Sequence, residues 1–338
     1  MWNKVWGKTL RSQMIRYNIL IICIIDIFIN VCAYMSSSRK IMEVAHTSLE
    51  HHVESISNQY QMAYHEMLNI TLNCTEREVI NLDTLNGMNT SKTKHRGLEY
   101  AQIIRDYCSI TEYGKYISKL IIFDNRGNMV QAGSLFGSND DMERVSTADW
   151  LEEECEKPME MYRLQLVEAP FFQQDGKILP IARKISRRQN TSSVYTVLCL
   201  SASLFRDVLQ ENDSEHEILV ATGSGQKIAS VGELEEDAAE NDALITEILN
   251  KGIDKGIDTM KVHGKKCLVA YEIYAPSGIL VCEIMPLDEL LNDRLILIET
   301  VGIMFFASLF FGIVLSLLIT KRLQRPIDRL VSHIGEIA

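Results

Sequence analysis

The sequence predicts an α+β protein with two membrane spans, a long helix and two tandem antiparallel-sheet domains. Three observations predict this class: two strongly apolar stretches, an apolar stripe with helical spacing, and an internal repeat. The predicted segments are a cytoplasmic N-terminus 1–14, a first span 15–34, a long helix 36–72, a membrane-distal domain 73–210, a membrane-proximal domain 211–293, a second span 295–319 and a cytoplasmic segment 320–338.

Two stretches are apolar enough to cross a membrane, which takes about 20 residues. Only four polar or charged residues interrupt Ile15–Tyr34, and Thr300–Ile319 contains no charged residue. Lys and Arg precede the first stretch and follow the second, as they do at cytoplasmic flanks. We therefore predict a plasma-membrane protein with both termini cytoplasmic and residues 36–293 outside. The alternative for the first stretch is a cleaved signal peptide, but no clear A-x-A site follows it.

Charge and cysteine content exclude several classes of protein. The net charge of -11 and the pI near 5.3 argue against a nucleic-acid partner, because phosphate recognition needs clustered Lys and Arg. The eight cysteines lack paired or metal-type spacing. No nucleophile, phosphate-binding loop or pair of carboxylates stands out in the middle section. We therefore expect no catalysis, no cofactor and no metal site.

A long helix is predicted directly after the first span. Apolar residues recur there every three or four positions, which places them on one face of a helix. Such a helix packs on its own domain, pairs with a second subunit, or does both. The stripe consists of Ile41, Ala45, Leu49, Val53, Ile56, Tyr60, Ala63, Met67 and Ile70.

An internal repeat organises the section between the spans. Leu120–Val130 aligns with Ile218–Ile228 without a gap, and each segment has the pattern of a strand, a Gly-containing turn and a second strand. Each copy then closes with further strands and a short helix. The first copy carries an insertion, Gly137–Pro170, in which Ser146–Asp149 resembles a helix capping box. The second copy has one amphipathic helix, about Glu233–Asn250. The distal copy therefore has more material for a cavity.

Taken together, these features resemble the double-Cache sensors, whose two units have PAS-like folds. The run Ser277–Leu287 looks like the end of the membrane-proximal unit, and Lys321–Leu330 is similar to the first helix of a HAMP linker. The layout is closest to that of Gram-positive sensor histidine kinases of two-component systems. The resemblance implies that the outer domains sense a small molecule, a peptide or a partner protein. The second span and HAMP would transmit the change to a cytoplasmic kinase module.

The resemblance also implies an output module that is missing from this sequence. No phosphoacceptor helix and no nucleotide-binding domain follow Ala338, so we expect the chain as given not to be an enzyme. A full-length relative would be a protein histidine kinase, and a response regulator would be reached only through that module. The chain would then be a truncation, a fragment or one half of a split system. The alternatives are the same sensor joined to an AraC-type regulator, a chemotaxis transducer or a cyclase, and a non-signalling, membrane-anchored binding protein.

Arg183 and Trp150 are the candidates for ligand binding. Alternation along the predicted strand Lys177–Ile185 puts Arg183 on an otherwise apolar face. It is there either a pocket cation for an anionic or polar solute, or a side chain that reaches water. Trp150, on the inserted helix, is either the apolar wall of a ligand pocket or an ordinary residue of the hydrophobic core. Amino-acid-sensing relatives carry Arg two positions before this Trp and Tyr after it. This chain has Ala148 and Leu151 there, which argues against an amino-acid ligand.

Signal relay is assigned to the cytoplasmic segment. Pro326 predicts a break or bend, because it lacks an amide hydrogen and disfavours helical geometry at the preceding residue. Four apolar residues follow at heptad spacing, a seam that pairs helices. The alternative is a basic amphipathic tail that lies on anionic headgroups. The seam consists of Ile327, Leu330, Ile334 and Ile337.

Two polar residues within the first span are predicted to contact another helix. Asp26 and Asn30 lie four residues apart and therefore share a helix face. Polar groups in hydrocarbon usually turn towards a neighbouring helix, although an interior Asp can also be neutral and merely tolerated. With the long outer helix and the seam, the chain is expected to form a homodimer in the membrane.

Overall fold

The computed structural model describes nine stretches of the chain and four single residues, and it divides into two units. One unit is His46–Pro286, and the other combines Met1–Ala45 with Leu287–Ala338. The described stretches are 10–76, 111–125, 129–133, 139–157, 164–168, 177–186, 193–212, 216–232 and 238–335, and the single residues are at positions 102, 105, 106 and 109.

The first helix, α1, runs from Leu10 to Glu76 without interruption. The members of the predicted stripe from Ala45 to Ile70 are all buried, and Ile41 is partly buried. The predicted stripe is therefore confirmed as one packed helix face. The spacing of three and four residues is sufficient to produce it, because 3.6 residues make one helical turn.

The described residues of the first half of the larger unit, named distal after the predicted domain, form five strands, three α-helices and a short 3-10 helix, Glu112–Tyr116. The strands are β1 (Ile117–Asp124), β2 (Met129–Gly133), β3 (Val167–Glu168), β4 (Lys177–Ser186) and β5 (Ser193–Ser201). The helices are α2 (Asn139–Ser146), α3 (Asp149–Glu156) and α4 (Ser203–Glu211). All strand pairs are antiparallel, in the order β2-β1-β5-β4-β3. α2 and α3 lie within the predicted insertion, and α3 packs on β4.

The proximal half repeats this sheet strand for strand. Its strands are β6 (Glu217–Ala221), β7 (Lys227–Val231), β8 (Lys255–Val262), β9 (Lys265–Tyr274) and β10 (Ile279–Pro286), and its helix is α5 (Ala238–Asn250). The order β7-β6-β10-β9-β8 matches that of the first sheet. Leu244, Ile245 and Ile248 of α5 pack against Val269 and Leu280 of this sheet. The predicted α+β class with two tandem sheets is confirmed, and the exact domain boundaries stay predictions.

The predicted capping box at Ser146–Asp149 is wrong. Ser146 ends α2, and α3 begins three residues later with Ala148 at its N-cap, where no side chain caps the helix. The Thr147 hydroxyl instead donates to the Glu143 carbonyl at 2.8 Å. The hydroxyl therefore gives a hydrogen-bond donor to a carbonyl of the last turn of α2. This use of the Thr side chain competes with capping the N-terminus of α3.

The last helix, α6, extends from Leu287 to Gly335. Both α1, over Arg16–Asn73, and α6, over Ile298–Ile319, are long and apolar enough by length and composition to cross a membrane. Of the break or bend predicted at Pro326, the break is wrong, because α6 continues through this residue, and the bend stays a prediction. A single proline removes one backbone hydrogen bond, and the turns on either side keep theirs.

Candidate functional site

The helix-covered face of the distal sheet is the candidate ligand site. α2 and α3 place Val145 and Leu151 against Ile121, Ala182 and Val197 of the sheet. These residues are buried, and they form one apolar layer beneath the inserted helices. Small-molecule sites are lined mostly by apolar side chains with a few polar groups, and this layer supplies the apolar part.

Lys119, next to a β-bulge in β1, lies in this layer. The pairing of β1 with β5 shifts register between Ile117 and Lys119, and the Ser118 hydroxyl donates to the Cys199 carbonyl at 2.9 Å. Lys119 then pairs with Cys199, a member of the apolar layer, and only 1% of Lys119 is exposed. Bulges commonly redirect a side chain near a functional site. A fully buried lysine is rare, because burying an ammonium is costly unless it is paired.

The covering helix contributes a buried carboxylate. Glu154 of α3 is 0% exposed and forms an ion pair with Lys157, one turn further along the chain. Cys155, next to it, is half-buried, and burial raises the pKa of its thiol to about 11. The candidate site therefore has a buried ammonium on the sheet and a buried carboxylate on the helix.

An aromatic pair borders the same face near the end of β4. The rings of Phe123 and Tyr195 stack with centroids 5.1 Å apart, and the Lys184 ammonium lies 5.4 Å from the centroid of the Tyr195 ring. Hydrogen bonding to Tyr195 raises the pKa of Lys184 above its usual value. Lys184 is exposed, so it is available to solutes at the rim of the site.

The structure places Trp150 and Arg183 on different sides of the distal sheet. Trp150 is half-buried against the apolar layer, to which Ala182 of β4 belongs. Successive strand residues point to opposite faces, so Arg183 shares its face with Ile181 and Leu179. Both side chains are partly buried, but they do not line one face of the sheet. Lys184 lies on the same face of the sheet as Ala182, which is the face that Trp150 packs against.

The position of Lys119 is also polar in the second repeat. The ungapped alignment places Lys119 opposite Glu217. Glu217 lies 3.9 Å from His263, whose Nδ1 lies 3.0 Å from Glu240 of α5. In the proximal copy this position thus contributes to an internal polar cluster. A positively charged side chain at this position is therefore found in the distal copy and not in the proximal copy.

In the unit that contains the spans, the two helices contact each other at small residues. The Ser308 hydroxyl lies 2.6 Å from Asp26 Oδ1, and Asn30 donates to the same oxygen at 3.1 Å. Gly312 lies against Ile22, since a Cβ added there would be 2.8 Å from Ile22 Cγ2. Close approach at Gly and Ser is typical of packed membrane helices. Asp26 therefore bridges α1 and α6 of one chain.

The residues assigned to signal relay are only partly described. The backbone of Pro326, Ile327, Leu330 and Ile334 belongs to α6, but their side chains lie outside the described residues. Ile337 lies outside them entirely. Among the described residues, no group of three or more His, Cys, Asp or Glu side chains could hold a metal ion.

Solved sensory domains share the architecture described above. The extracellular domain ascribed to the histidine kinase vpHK1S-Z8 is 13% identical, covering 75% of this chain and 98% of that one with a TM-score of 0.52. The sensory domain of the Campylobacter jejuni chemoreceptor Tlp3 (CcmL), with isoleucine bound, is 11% identical, covering 75% and 97% with a TM-score of 0.54. The chain has the double-Cache fold. No protein-family model matches it, and neither does any curated protein.

The double-Cache resemblance found in the sequence is therefore confirmed at the level of fold. The HAMP linker and the Gram-positive origin stay predictions. Sequence reasoning missed Lys119, although a signal was present. The alternation of Lys119 with Ile121 and Phe123 puts a lysine on an apolar strand face, the same pattern that selected Arg183.

Proposed function

We propose that the chain is the sensory part of a transmembrane signalling receptor, with a solute site in the distal double-Cache domain. The observation that carries this is the fully buried Lys119, which lies on the apolar sheet face that the inserted helices cover. Basic flanks support cytoplasmic termini and an extracellular middle section. Two apolar helices and the neighbouring sensory domains support a membrane receptor.

The proposed ligand is a small organic solute with an anionic group. Lys119 would bind that group, and Trp150 would supply an apolar wall at the half-buried end of α3. Tlp3 is a chemoreceptor solved with isoleucine, which supports a small molecule as the ligand class. Ala148 and Leu151, in place of Arg and Tyr, argue against a standard amino acid. Arg183 contributes only if the ligand or a loop reaches around the edge of the sheet.

Lys119→Met is expected to weaken binding of an anionic solute about tenfold or more. The reason is the loss of a charge-assisted hydrogen bond, worth about 1.5–3 kcal/mol. The ligand would be found by thermal-shift screening of small organic acids with the full chain in nanodiscs, and affinities measured by calorimetry. Lys266→Met, at an exposed position of β9 in the other sheet, is the matched control and should change affinity little.

The same titrations decide between the candidate residues. Trp150→Ala should also weaken binding, and Arg183→Ala reports whether the opposite face takes part. Circular dichroism of each variant verifies that it is folded. Equal affinities for the wild type and Lys119→Met would remove Lys119 from the site and leave the proposed function without its main support.

We propose that α6 passes the signal to a dimeric cytoplasmic helix. Pro326 adjoins the seam, which pairs two chains, and Asp26 and Asn30 contribute to helix contacts within the membrane. The output favoured by the layout is a histidine kinase module with its response regulator. An AraC-type regulator, a chemotaxis transducer or a cyclase is the alternative, since Tlp3 shares the fold and is a chemoreceptor.

Single cysteines introduced at the seam are expected to crosslink two chains. In a chain cleared of native cysteines, Leu330→Cys and Ile334→Cys should crosslink in membranes several times more efficiently than Arg329→Cys or Ser332→Cys. The reason is that only seam positions of two parallel helices face each other. The yield is measured on non-reducing gels after oxidation. Equal yields at all four positions would instead favour a tail lying on the headgroups.

A further inference from the structure

A cavity of about 170 Å³ lies between α1 and the edge of the proximal sheet, away from the candidate ligand site. Its lining includes Glu50 and Val53 of α1 and Ile257 and Ala270 of the sheet. An apolar cavity of about 150 Å³ is large enough to hold benzene. This cavity therefore has room for a ligand of about six non-hydrogen atoms.

The floor of the cavity is apolar. Ile257 of β8 and Ala270 of β9 are register partners, and the buried Val53 faces them from α1. The Tyr271 side chain packs directly on Gly256. A Cβ added at Gly256 would lie only 2.7 Å from the Tyr271 hydroxyl oxygen. A short hydrocarbon chain placed here would be removed from water on several sides, which stabilises binding.

Carboxylates outnumber cations at the rim. The Lys255 ammonium lies 3.1 Å from Glu50 and 3.3 Å from Glu54, and these pairs are partly exposed. Hydrogen bonding to Glu50 raises the pKa of Lys255 above its usual value. One ammonium thus pairs with two carboxylates here, and exposed ion pairs of this kind contribute little free energy.

A third carboxylate on the same sheet face has no donor for one of its oxygens. Glu272 is the register partner of Lys255, two residues from Ala270 and therefore on the same face of β9. Its Oε2 is buried and has no hydrogen-bond partner among the described residues. A buried carboxylate oxygen without a donor is costly, and an ammonium group would supply that donor.

We propose that this cavity binds a small aliphatic amine. Its carbon chain lies on Val53, Ile257 and Ala270, and its ammonium group lies at Glu50. Glu54 and Glu272 adjoin the lining through Lys255 and add negative charge beside it. A neutral molecule of the same shape leaves the Glu272 oxygen without a strong donor, and an anion is repelled. The site is distinct from the distal solute site, and the proposal holds whatever that site binds.

The test uses n-butylamine, n-butanol and butyrate as matched probes. Each is titrated at neutral pH into the full chain in nanodiscs by calorimetry, with empty nanodiscs correcting for partition into lipid. We expect the amine to bind with a Kd of about 1 mM or tighter, and the alcohol and the acid to bind at least about tenfold more weakly. Equal binding of amine and alcohol, or no binding of the amine, would overturn the proposal.

Variants place the amine in the cavity. Glu272→Gln keeps the shape of the side chain and removes the charge, so it should weaken amine binding about tenfold. Ile257→Trp should block the cavity. Glu247→Gln, at an exposed position of α5, is the charge-matched control and should leave binding unchanged. The proposal fails if Glu272→Gln binds the amine like the wild type. It also fails if Lys119→Met abolishes amine binding, because the amine would then occupy the distal site.

Discussion

Glu283→Ala is expected to lower the free energy of unfolding by about 3 kcal/mol. Glu283 of β10 is 1% exposed, and its two oxygens lie 2.8 Å from His52 Nδ1 and 2.9 Å from His216 Nδ1. The variant removes two hydrogen bonds to a charged group and leaves both imidazoles without this acceptor. The three residues come from α1, from the chain before β6 and from β10, so one substitution loosens three segments.

This loss would be measured by urea unfolding of the full chain, followed by far-ultraviolet circular dichroism. Glu247→Ala, an exposed glutamate of α5, is the control and should change the unfolding free energy by less than about 0.5 kcal/mol. Glu283→Gln should give an intermediate loss, because its amide oxygen still accepts one of the two hydrogen bonds. If Glu283→Ala behaved like the control, the two histidines would not depend on this carboxylate.

Tyr60→Ala is expected to lower the free energy of unfolding by about 3–5 kcal/mol, the range for truncation of large buried aromatic residues. Tyr60 of α1 is 2% exposed, and its ring centroid lies 4.8 Å from that of Phe205 of α4. Its hydroxyl donates to the Phe205 carbonyl at 2.8 Å. Burial raises the pKa of this hydroxyl well above its usual value, so the group stays a donor over the neutral range.

Two further variants separate the contributions at Tyr60. Tyr60→Phe keeps the ring and should lower the free energy of unfolding by about 1 kcal/mol, the typical contribution of one buried hydrogen bond. Met62→Ala, two residues along α1 and 57% exposed, should cost less than about 0.5 kcal/mol. All variants would be compared in the same urea titration. A Tyr60→Ala cost close to that of Met62→Ala would show that α1 does not depend on this contact with α4.

Much of the fold could be predicted from the sequence because its periodicities are strong. The α1 stripe follows the helical period over many turns, and each sheet repeats one hairpin pattern with the same strand order. The predicted strand Lys177–Ile185 differs from β4 by a single residue at its end. These features depend on the spacing of apolar residues, which a single sequence shows directly.

The details of the site were less predictable because they depend on tertiary contacts. Arg183 was selected from one strand alone, and the sequence did not say which face the inserted helix covers. The bulge at Ile117–Lys119 arises from the pairing of β1 with β5, which are far apart in sequence. The choice of Thr147 between ending α2 and capping α3 likewise depends on where the first helix stops.

The Asp26–Ser308 contact limits how the two spans can move against each other. Each residue of axial sliding displaces a helix by about 1.5 Å, which is enough to break a hydrogen bond of 2.6 Å. Sliding removes this bond between the helices, although Asn30 still donates to Asp26 and the Ser308 hydroxyl still reaches the Phe305 carbonyl within α6. A tilt of α6 about Ser308 preserves it, and so does a small rotation while Gly312 stays against Ile22. Under the relay proposed above, a tilt of α6 about this polar contact is therefore less costly than sliding of one helix along the other.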